Sequence, residues 1–233
     1  MPYFYGIDLS YVILVLPAML FALWAQFYVN STFNRYQKVQ NLRGMTGEAA
    51  ARAILNENGL YDIKIEHVKG NLSDHYDPKA GVIRLSDAVY DKSSVAAVGV
   101  AAHEAGHAVQ HATGYVPIRI RSAIIPVTNF ASSLSTPLFL IGILFSMTSL
   151  AYLGVFLFGI STLFQLITLP VEFNASSRAL KSLAASHYLE EDEQKAARKT
   201  LSAAALTYVA SLAVSLGTFL RLLLIANGRS RRR

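Results

Sequence analysis

The chain has 233 residues, of which 53% are hydrophobic and only 15% are charged, with a formal net charge of +6. Globular proteins carry roughly a quarter charged residues, so this composition excludes an ordinary soluble domain and argues against a disordered chain or a solenoid of short repeats. The absence of cysteine excludes a disulfide framework and zinc sites built from thiolates.

Much of the positive charge is concentrated near the C-terminus. Five of the 21 basic residues are Arg221, Arg229 and the three arginines at 231–233. The sequence has no basic stripe interleaved with aromatic residues, the pattern typical of nucleic-acid-binding surfaces. We therefore expect no nucleic-acid partner, and we interpret the C-terminal basic residues as contacts for phospholipid headgroups of a bilayer.

Three stretches without charged residues predict the membrane-spanning segments. They contain 26, 50 and 21 residues and lie at 9–34, 122–171 and 200–220. A spanning helix needs roughly 20 apolar residues, so the stretches accommodate one, two and one spans. The first lacks the basic start and small-residue cleavage site of a secretory signal, so we expect it to remain in the mature protein. About four transmembrane helices are predicted.

The segment 35–121 is the only polar stretch long enough to fold into a compact domain outside the bilayer. Thr46 is the expected N-cap of a helix that ends near Gly59. Apolar and turn-forming residues then predict a strand at 63–68 and a strand, turn and strand at 74–85.

A helix predicted over 93–113 is apolar almost all round, so its few polar side chains need a shared partner. Three of them, His103, Glu104 and His107, form an HExxH pattern. Residues four apart lie on one helix face about 6 Å apart along the axis, so the two imidazoles can converge on one zinc ion. Glu104, one step round the helix, can reach a water molecule there and act as a base in peptide hydrolysis.

The next histidine along the helix does not complete this site. His111 lies eight residues beyond His103, roughly 12 Å along an unbroken helix, which is too far for a shared ion. It also precedes Gly114, whereas the metzincin pattern has its glycine before the last histidine. Three roles stay open for His111. It could hydrogen-bond to a ligand residue from outside the metal site, make a polar contact at the bilayer surface, or simply lie on the exposed surface of the helix.

Glu172 is the predicted third ligand, because a catalytic zinc takes three protein ligands and this is the first charged residue after 50 uncharged ones. The uncharged stretch is too long for one span and must fold back near 147–149. Pro170 predicts a helix start, and this helix would carry Glu172 to the metal. An ordinary first-turn acid, stabilised by the helix dipole, is the alternative for Glu172.

Three blocks of the sequence resemble those of the YugP-like membrane zinc metallopeptidases, distant relatives of the HtpX-type membrane gluzincins. The blocks are Leu72–Pro78, Val95–His111 and Pro170–Leu180. HExxH alone is moderately specific, but its combination with the other two blocks and the intervening hairpin of spans is strongly specific. The resemblance covers most of the chain.

The resemblance implies a gluzincin arrangement, with the two HExxH histidines and Glu172 as ligands of one zinc ion per chain and Glu104 as the base. In similar proteins, an edge strand before the HExxH helix pairs with the main chain of an extended peptide, and His75 and Tyr76 lie in that segment. Either residue could equally be only a turn residue.

One position departs from the HtpX-type pattern, which usually has an aspartate four residues after the ligand glutamate, where this chain has Ser176. The group that orients a ligand histidine is therefore open among Asn174, Ser176 and Asp74. Arg178 could stabilise the oxyanion of the tetrahedral intermediate, or simply reach lipid headgroups.

The predicted fold is a membrane α-helical protein with a small α+β, gluzincin-like zincin catalytic domain. The predicted organisation is transmembrane helix 1 at 9–34, the zincin domain with the HExxH helix at 35–121, a transmembrane hairpin of helices 2 and 3 at 122–169, the third-ligand helix and a connection at 170–199, transmembrane helix 4 at 200–228, and a basic tail at 229–233.

The predicted function is peptide-bond hydrolysis by a zinc endopeptidase embedded in the cell membrane. Because Glu172 directly follows a span, we expect the metal near the bilayer surface and membrane-associated proteins as substrates, with soluble peptides still open. Basic residues beside the first two spans favour a cytoplasmic catalytic domain by the positive-inside rule, whereas the C-terminal arginines disagree. The alternative function is a catalytically inactive membrane scaffold or metal-binding regulator. A companion membrane protein is left open.

Overall fold

The computed structural model describes residues 8–71 and 73–230, and for residues 229 and 230 only the backbone. Within these residues the chain forms six α-helices and three β-strands, and a π-helical turn, Tyr11–Val15, leads into the first helix. The helices are α1 (Leu16–Tyr36), α2 (Gly47–Glu57), α3 (Val95–Ala112), α4 (Val116–Leu144), α5 (Thr148–Ala185) and α6 (Glu191–Ser230), and the strands are β1 (Lys64–Val68), β2 (His75–Asp77) and β3 (Val82–Ser86). Residues 231–233 of the predicted basic tail and Leu72 of the first resemblance block lie outside the described residues.

Four helices in the described part of the chain are long and apolar enough to cross a membrane. They are Tyr11–Tyr36, Val116–Leu144, Thr148–Ala185 and Glu191–Gly228. The prediction of four candidate membrane-spanning helices is thus confirmed. The turn of the predicted hairpin lies at 145–147, close to its expected position.

The chain divides into two compact units, of which the first is hydrophobic and comprises Met1–Gln26, Ile120–Leu169 and Thr207–Arg233. Small residues bring its helices together. A Cβ atom at Gly154 of α5 would lie 2.6 Å from the backbone nitrogen of Phe139 in α4. Lipid provides no hydrophobic force between spanning helices, so such close backbone approach is what allows them to pack.

The second unit comprises Phe27–Arg119 and Pro170–Leu206. Its three-stranded sheet has the order β1-β3-β2, with β1 parallel and β2 antiparallel to β3. β2 is therefore an edge strand. Helices α2 and α3 pack against each other, and the largest fully buried apolar side chains of the core cluster around them are Ile54, Leu55, Ile83, Leu85, Leu183 and Leu189.

Local sequence signals set the ends of α2 and α3. Thr46 Oγ1 accepts a hydrogen bond from the backbone N–H of Ala49 at 3.2 Å, and Ser94 Oγ accepts one from Ala97 at the same distance. Both hydroxyls satisfy backbone donors that have no partner inside the helix. Gly59 adopts a φ of +71° just after α2, a conformation that ends a helix readily. The helices predicted between Thr46 and Gly59 and over 93–113 are confirmed.

The predicted helix start at Pro170 is wrong. α5 runs without interruption from Thr148 to Ala185, with Pro170 in its interior. The proline ring holds φ near the helical value, and long apolar helices tolerate the missing N–H when neighbouring groups satisfy the exposed carbonyl. A single helix therefore contains both a candidate membrane span and Glu172.

Candidate metal centre

Three side chains of ligand type meet between α3 and α5. His103 and His107 lie one turn apart on α3, and Glu172 lies on α5. Glu172 Oε2 is 3.2 Å from His103 Nε2 and 3.5 Å from His107 Nε2. The three residues offer ligand atoms that all lie within 4.8 Å of one another. The structure thus brings together the three residues predicted as metal ligands.

The separations between Glu172 and the two imidazole nitrogens fit a tetrahedral zinc site. Zinc–ligand distances of roughly 2.0–2.1 Å put neighbouring ligands of a tetrahedron about 3.3 Å apart. The observed separations of 3.2 Å and 3.5 Å lie on either side of that value. Two imidazole nitrogens and one carboxylate oxygen also leave one tetrahedral position open, as catalytic zinc sites require. His103, His107 and Glu172 could therefore hold a zinc ion.

Gln110 fixes the orientation of the His107 ring. Its buried Nε2 donates to the backbone oxygen of Val171 at 2.8 Å and to Asn174 Oδ1 at 3.0 Å. A backbone carbonyl can only accept, so the amide oxygen of Gln110 must face His107 and accept from its Nδ1–H, at 3.0 Å. With the proton on Nδ1, the Nε2 lone pair points toward Glu172 and is available to a metal ion.

Ser176 contacts the other histidine of the pair. Its Oγ lies 3.0 Å from His103 Nδ1. When Nε2 of His103 serves as a ligand, Nδ1 carries the proton and donates to this hydroxyl. Of the three groups considered from the sequence, Ser176 contacts a histidine directly and Asn174 bonds to the buried glutamine. Asp74 instead accepts from the backbone N–H and the hydroxyl of Ser86, at 2.7 Å and 3.0 Å.

Glu104 lies next to a ligand on α3, and its side chain is only 8% exposed. Residues 8–71 and 73–230 provide its carboxylate with no hydrogen bond and no ion pair. Its charge acts on the neighbouring ring: burial alone would lower the pKa of His107, but the hydrogen bond to Glu172 and the charges of Glu104 and Glu172 raise it. The electrostatic field at the His107 ring therefore stabilises a cation, which can be a proton or a metal ion.

A glycine allows the two ligand helices to meet. A Cβ atom at Gly106 would lie 2.6 Å from the backbone oxygen of Ala175, closer than such atoms approach in proteins. α3 can therefore contact α5 at this distance only because position 106 has no side chain. Ala175 lies three residues after Glu172, so this contact sets the separation of the ligands on the two helices.

Arg178 is linked to His107 by a chain of hydrogen bonds. Its Nε donates to Asn174 Oδ1 at 2.8 Å, the same oxygen that accepts from Gln110. The guanidinium carbon also lies 6.0 Å from the ring centroid of Tyr115. These contacts fix the position of the Arg178 side chain on α5. The role of Arg178 as an oxyanion donor stays a prediction.

His75 and Tyr76, predicted to bind peptide, lie in the edge strand β2. His75 Nδ1–H donates to the backbone oxygen of Ser73 at 2.8 Å, and its Nε2 accepts from Arg84 Nη1 at 3.3 Å. The Tyr76 ring packs edge-on against His111, with centroids 5.6 Å apart. His111 is thus a packing partner of the edge strand, and the role of His75 and Tyr76 in substrate binding stays a prediction.

Gln110 and Tyr115 lie beside the candidate ligands, and the sequence pattern alone predicts no role for either residue. A signal for Gln110 existed, because an amide in an almost entirely apolar helix, three residues after a ligand histidine, must find hydrogen-bond partners. No comparable signal existed for Tyr115. Its stacking with Arg178 and the 3.4 Å hydrogen bond from its hydroxyl to the Pro170 carbonyl both depend on tertiary packing.

Comparisons with known proteins cover nearly the whole chain. Residues 11–227 match the model of a family described as "Putative neutral zinc metallopeptidase". The chain is 48% identical over 220 residues to a Bacillus subtilis (strain 168) protein named "Putative membrane protease YugP", an alignment that covers 94% of this chain and 98% of that protein. No solved structure matches the chain significantly. Because the family match and the relative both extend over almost every residue, the chain belongs to this family of neutral zinc metallopeptidases.

Proposed function

We propose that this protein is a zinc endopeptidase embedded in the membrane, which hydrolyses peptide bonds of membrane-associated proteins near the bilayer surface and uses one zinc ion per chain. The observation that carries the proposal is the meeting of His103, His107 and Glu172, whose ligand atoms all lie within 4.8 Å of one another. The family description and the name of the Bacillus relative support the same chemistry.

Each residue of the site has a separate task in this mechanism. When bound by His103, His107 and Glu172, a zinc ion would supply the Lewis acidity that activates water for attack on a carbonyl. Glu104 accepts the proton from the attacking water and donates it to the leaving amine. Its carboxylate makes no hydrogen bond to the described residues, and this supports the role because both oxygens stay available to the water. Gln110 and Ser176 hold the two imidazoles through Nδ1, so that both Nε2 atoms face the third ligand.

The gluzincin-like zincin architecture is part of the proposal. An HExxH helix, a glutamate from a later helix and a small sheet support it. β2 pairs with β3 on one side, and no strand among the described residues pairs with its other side. An extended substrate could add there by main-chain hydrogen bonds, beside His75 and Tyr76.

Chain order supports action near the bilayer surface. Glu172 follows Leu169, the end of a segment of the hydrophobic unit, by three residues within one helix. Positive charge beside the first two spans supports a multi-pass cell-membrane protein with a cytoplasmic catalytic domain. The residues that supply this charge are Arg35, Lys38, Arg43, Arg119 and Arg121.

A Glu104→Gln variant tests the mechanism. In full-length protein purified in detergent, we expect it to retain zinc by elemental analysis, because the carboxylate is not a ligand. Zinc-dependent cleavage of fluorescein-labelled casein should fall by at least about 100-fold, because the general base is lost. The matched control is Glu191→Gln, since the Glu191 side chain is 86% exposed and should not affect cleavage.

The same assay separates the two candidate functions. Full zinc-dependent cleavage by Glu104→Gln would remove the proposed mechanism. Failure of the zinc-loaded wild-type protein to cleave casein or a membrane-anchored peptide would instead favour a catalytically inactive scaffold or a metal-binding regulator.

A further inference from the structure

A groove of about 400 Å³ lies between α5 and α6 within the second unit. We call it the basic groove. Its lining residues are Phe173, Ser176, Ser177, Leu180, Lys181, Ala184, Arg198 and Ser202.

The charge of the basic groove is positive and uncompensated. Lys181 and Arg198 are both exposed, and neither forms a salt bridge with any residue in 8–71 or 73–230. The lining residues include no carboxylate. The nearby Lys195 differs, because it pairs with two acids of its own helix at 3.0 Å and 3.1 Å. The groove therefore offers two cations to an external anion.

The hydroxyl groups are arranged to complement these cations. Ser177 precedes Lys181 by four residues on α5, and Arg198 precedes Ser202 by four residues on α6. Residues four apart share one face of a helix, so each helix presents a hydroxyl and a cation as a pair to the groove. Hydroxyls, an ammonium and a guanidinium together match a phosphate group, which accepts several charge-assisted hydrogen bonds.

The apolar lining residues suit a ligand with hydrocarbon chains. Phe173 is 49% exposed and follows the hydrophobic segment that ends at Leu169 by four residues. On α6, Ser202 precedes Thr207, where the hydrophobic unit resumes, by five residues. Along each helix the cation is farther in sequence from the hydrophobic unit than the apolar or hydroxyl residue is. This order matches a phospholipid, whose phosphate lies outside its acyl chains.

We propose that the basic groove binds the phosphate headgroup of an anionic glycerophospholipid. Lys181 and Arg198 neutralise the phosphate, Ser177 and Ser202 donate hydrogen bonds to it, and Phe173 contacts the acyl chains. The inference is independent of catalysis. The groove also includes Ser176, whose hydroxyl contacts His103, so a bound headgroup lies next to a group that orients a candidate zinc ligand.

Native mass spectrometry of the full-length protein in detergent tests the proposal. The protein is titrated with dioctanoylphosphatidylglycerol and, separately, with dioctanoylphosphatidylcholine, glycerol 3-phosphate and a deca-glutamate peptide. The Lys181→Ala/Arg198→Ala variant should bind the anionic lipid about 25-fold more weakly than wild type, because each lost cation weakens binding by about 5-fold. The Lys195→Ala/Lys199→Ala control changes net charge equally on exposed sites and should bind like wild type. Circular dichroism and zinc content verify that each variant is folded.

Each alternative outcome overturns the proposal. Equal weakening by the two double variants would mean diffuse surface attraction and no groove site. Equal binding of the phosphatidylcholine would remove the requirement for an anionic headgroup. Tighter binding of glycerol 3-phosphate would identify a site for soluble phosphate esters, and tighter binding of the peptide would identify a site for an acidic protein segment. Weakened lipid binding by the groove variant alone supports the proposal whether or not the protein cleaves casein.

Discussion

Replacing Gly106 with alanine should separate the two helices that carry the candidate metal ligands. The new Cβ atom would lie 2.6 Å from the backbone oxygen of Ala175, whereas ordinary contacts begin at 3.4 Å. Neither the backbone carbonyl nor the first side-chain carbon can rotate out of this contact. We therefore expect α3 and α5 to move apart by about 0.8 Å at this point.

This displacement is large compared with the tolerance of a metal site. Glu172 lies three residues before Ala175 on the same helix, and its Oε2 is 3.2 Å and 3.5 Å from the two imidazole nitrogens. Zinc–ligand distances tolerate changes of roughly 0.2 Å. We expect zinc affinity to fall by about 100-fold or more, and overpacking to lower the free energy of unfolding by about 1–3 kcal/mol.

Competition with a chromophoric chelator measures the zinc affinity of the purified full-length variant. The matched control is Gly99→Ala on the same helix, where the new Cβ atom would lie 3.5 Å from Ala197 in an ordinary contact. This control should bind zinc like wild type. Equal zinc affinities of Gly106→Ala and Gly99→Ala would refute the inference that the close helix contact sets the ligand spacing.

Three other predictions concern the surroundings of the site. Gln110→Leu should weaken zinc binding by about 10–100-fold, because the Nδ1–H of His107 loses its acceptor; chelator competition that shows unchanged affinity would contradict this. The hydrogen bond from the backbone N–H of Gly70 lowers the pKa of Asp87 in the folded protein. The Asp87 carboxylate therefore stabilises the fold at pH values above its unfolded pKa of about 3.9, and this stabilisation is lost as the pH falls and the carboxylate is protonated. Asp87→Asn should therefore reduce the drop in melting temperature between neutral and acid pH, and an identical drop would argue against it. Thr46→Ala should lower the free energy of unfolding by about 1 kcal/mol in urea titrations followed by circular dichroism, through loss of the α2 cap.

The ligand pair on α3 could be predicted because helix periodicity is a local property. Once Ser94 and the apolar pattern indicate a helix, residues 103 and 107 must share a face. Glu172 could be predicted because a lone carboxylate after 50 uncharged residues needs a reason to be there. These inferences require only neighbours in sequence or the cost of desolvating a charge.

The supports of the site could not be predicted in the same way, because they depend on how α3 and α5 pack. The contact of Gly106 with Ala175 and the bond from Gln110 to Val171 both join residues far apart in the chain. The strand order also depends on tertiary packing, because nothing in the apolar pattern of β1 indicates that this strand pairs parallel with β3. Proline is common both at helix starts and within spanning helices, so Pro170 alone does not distinguish a helix start from the interior position that it occupies in α5.

The division of the ligands between α3 and α5 has a consequence for biosynthesis. His103 and Glu172 are 69 residues apart in the chain. A ribosome that has completed the HExxH helix must still synthesise two candidate spans before the last ligand emerges. A nascent chain, or a fragment truncated in the hairpin, therefore contains only two of the three candidate ligands and cannot assemble the complete set. This order of synthesis delays completion of the candidate metal centre until most of the polypeptide has been made.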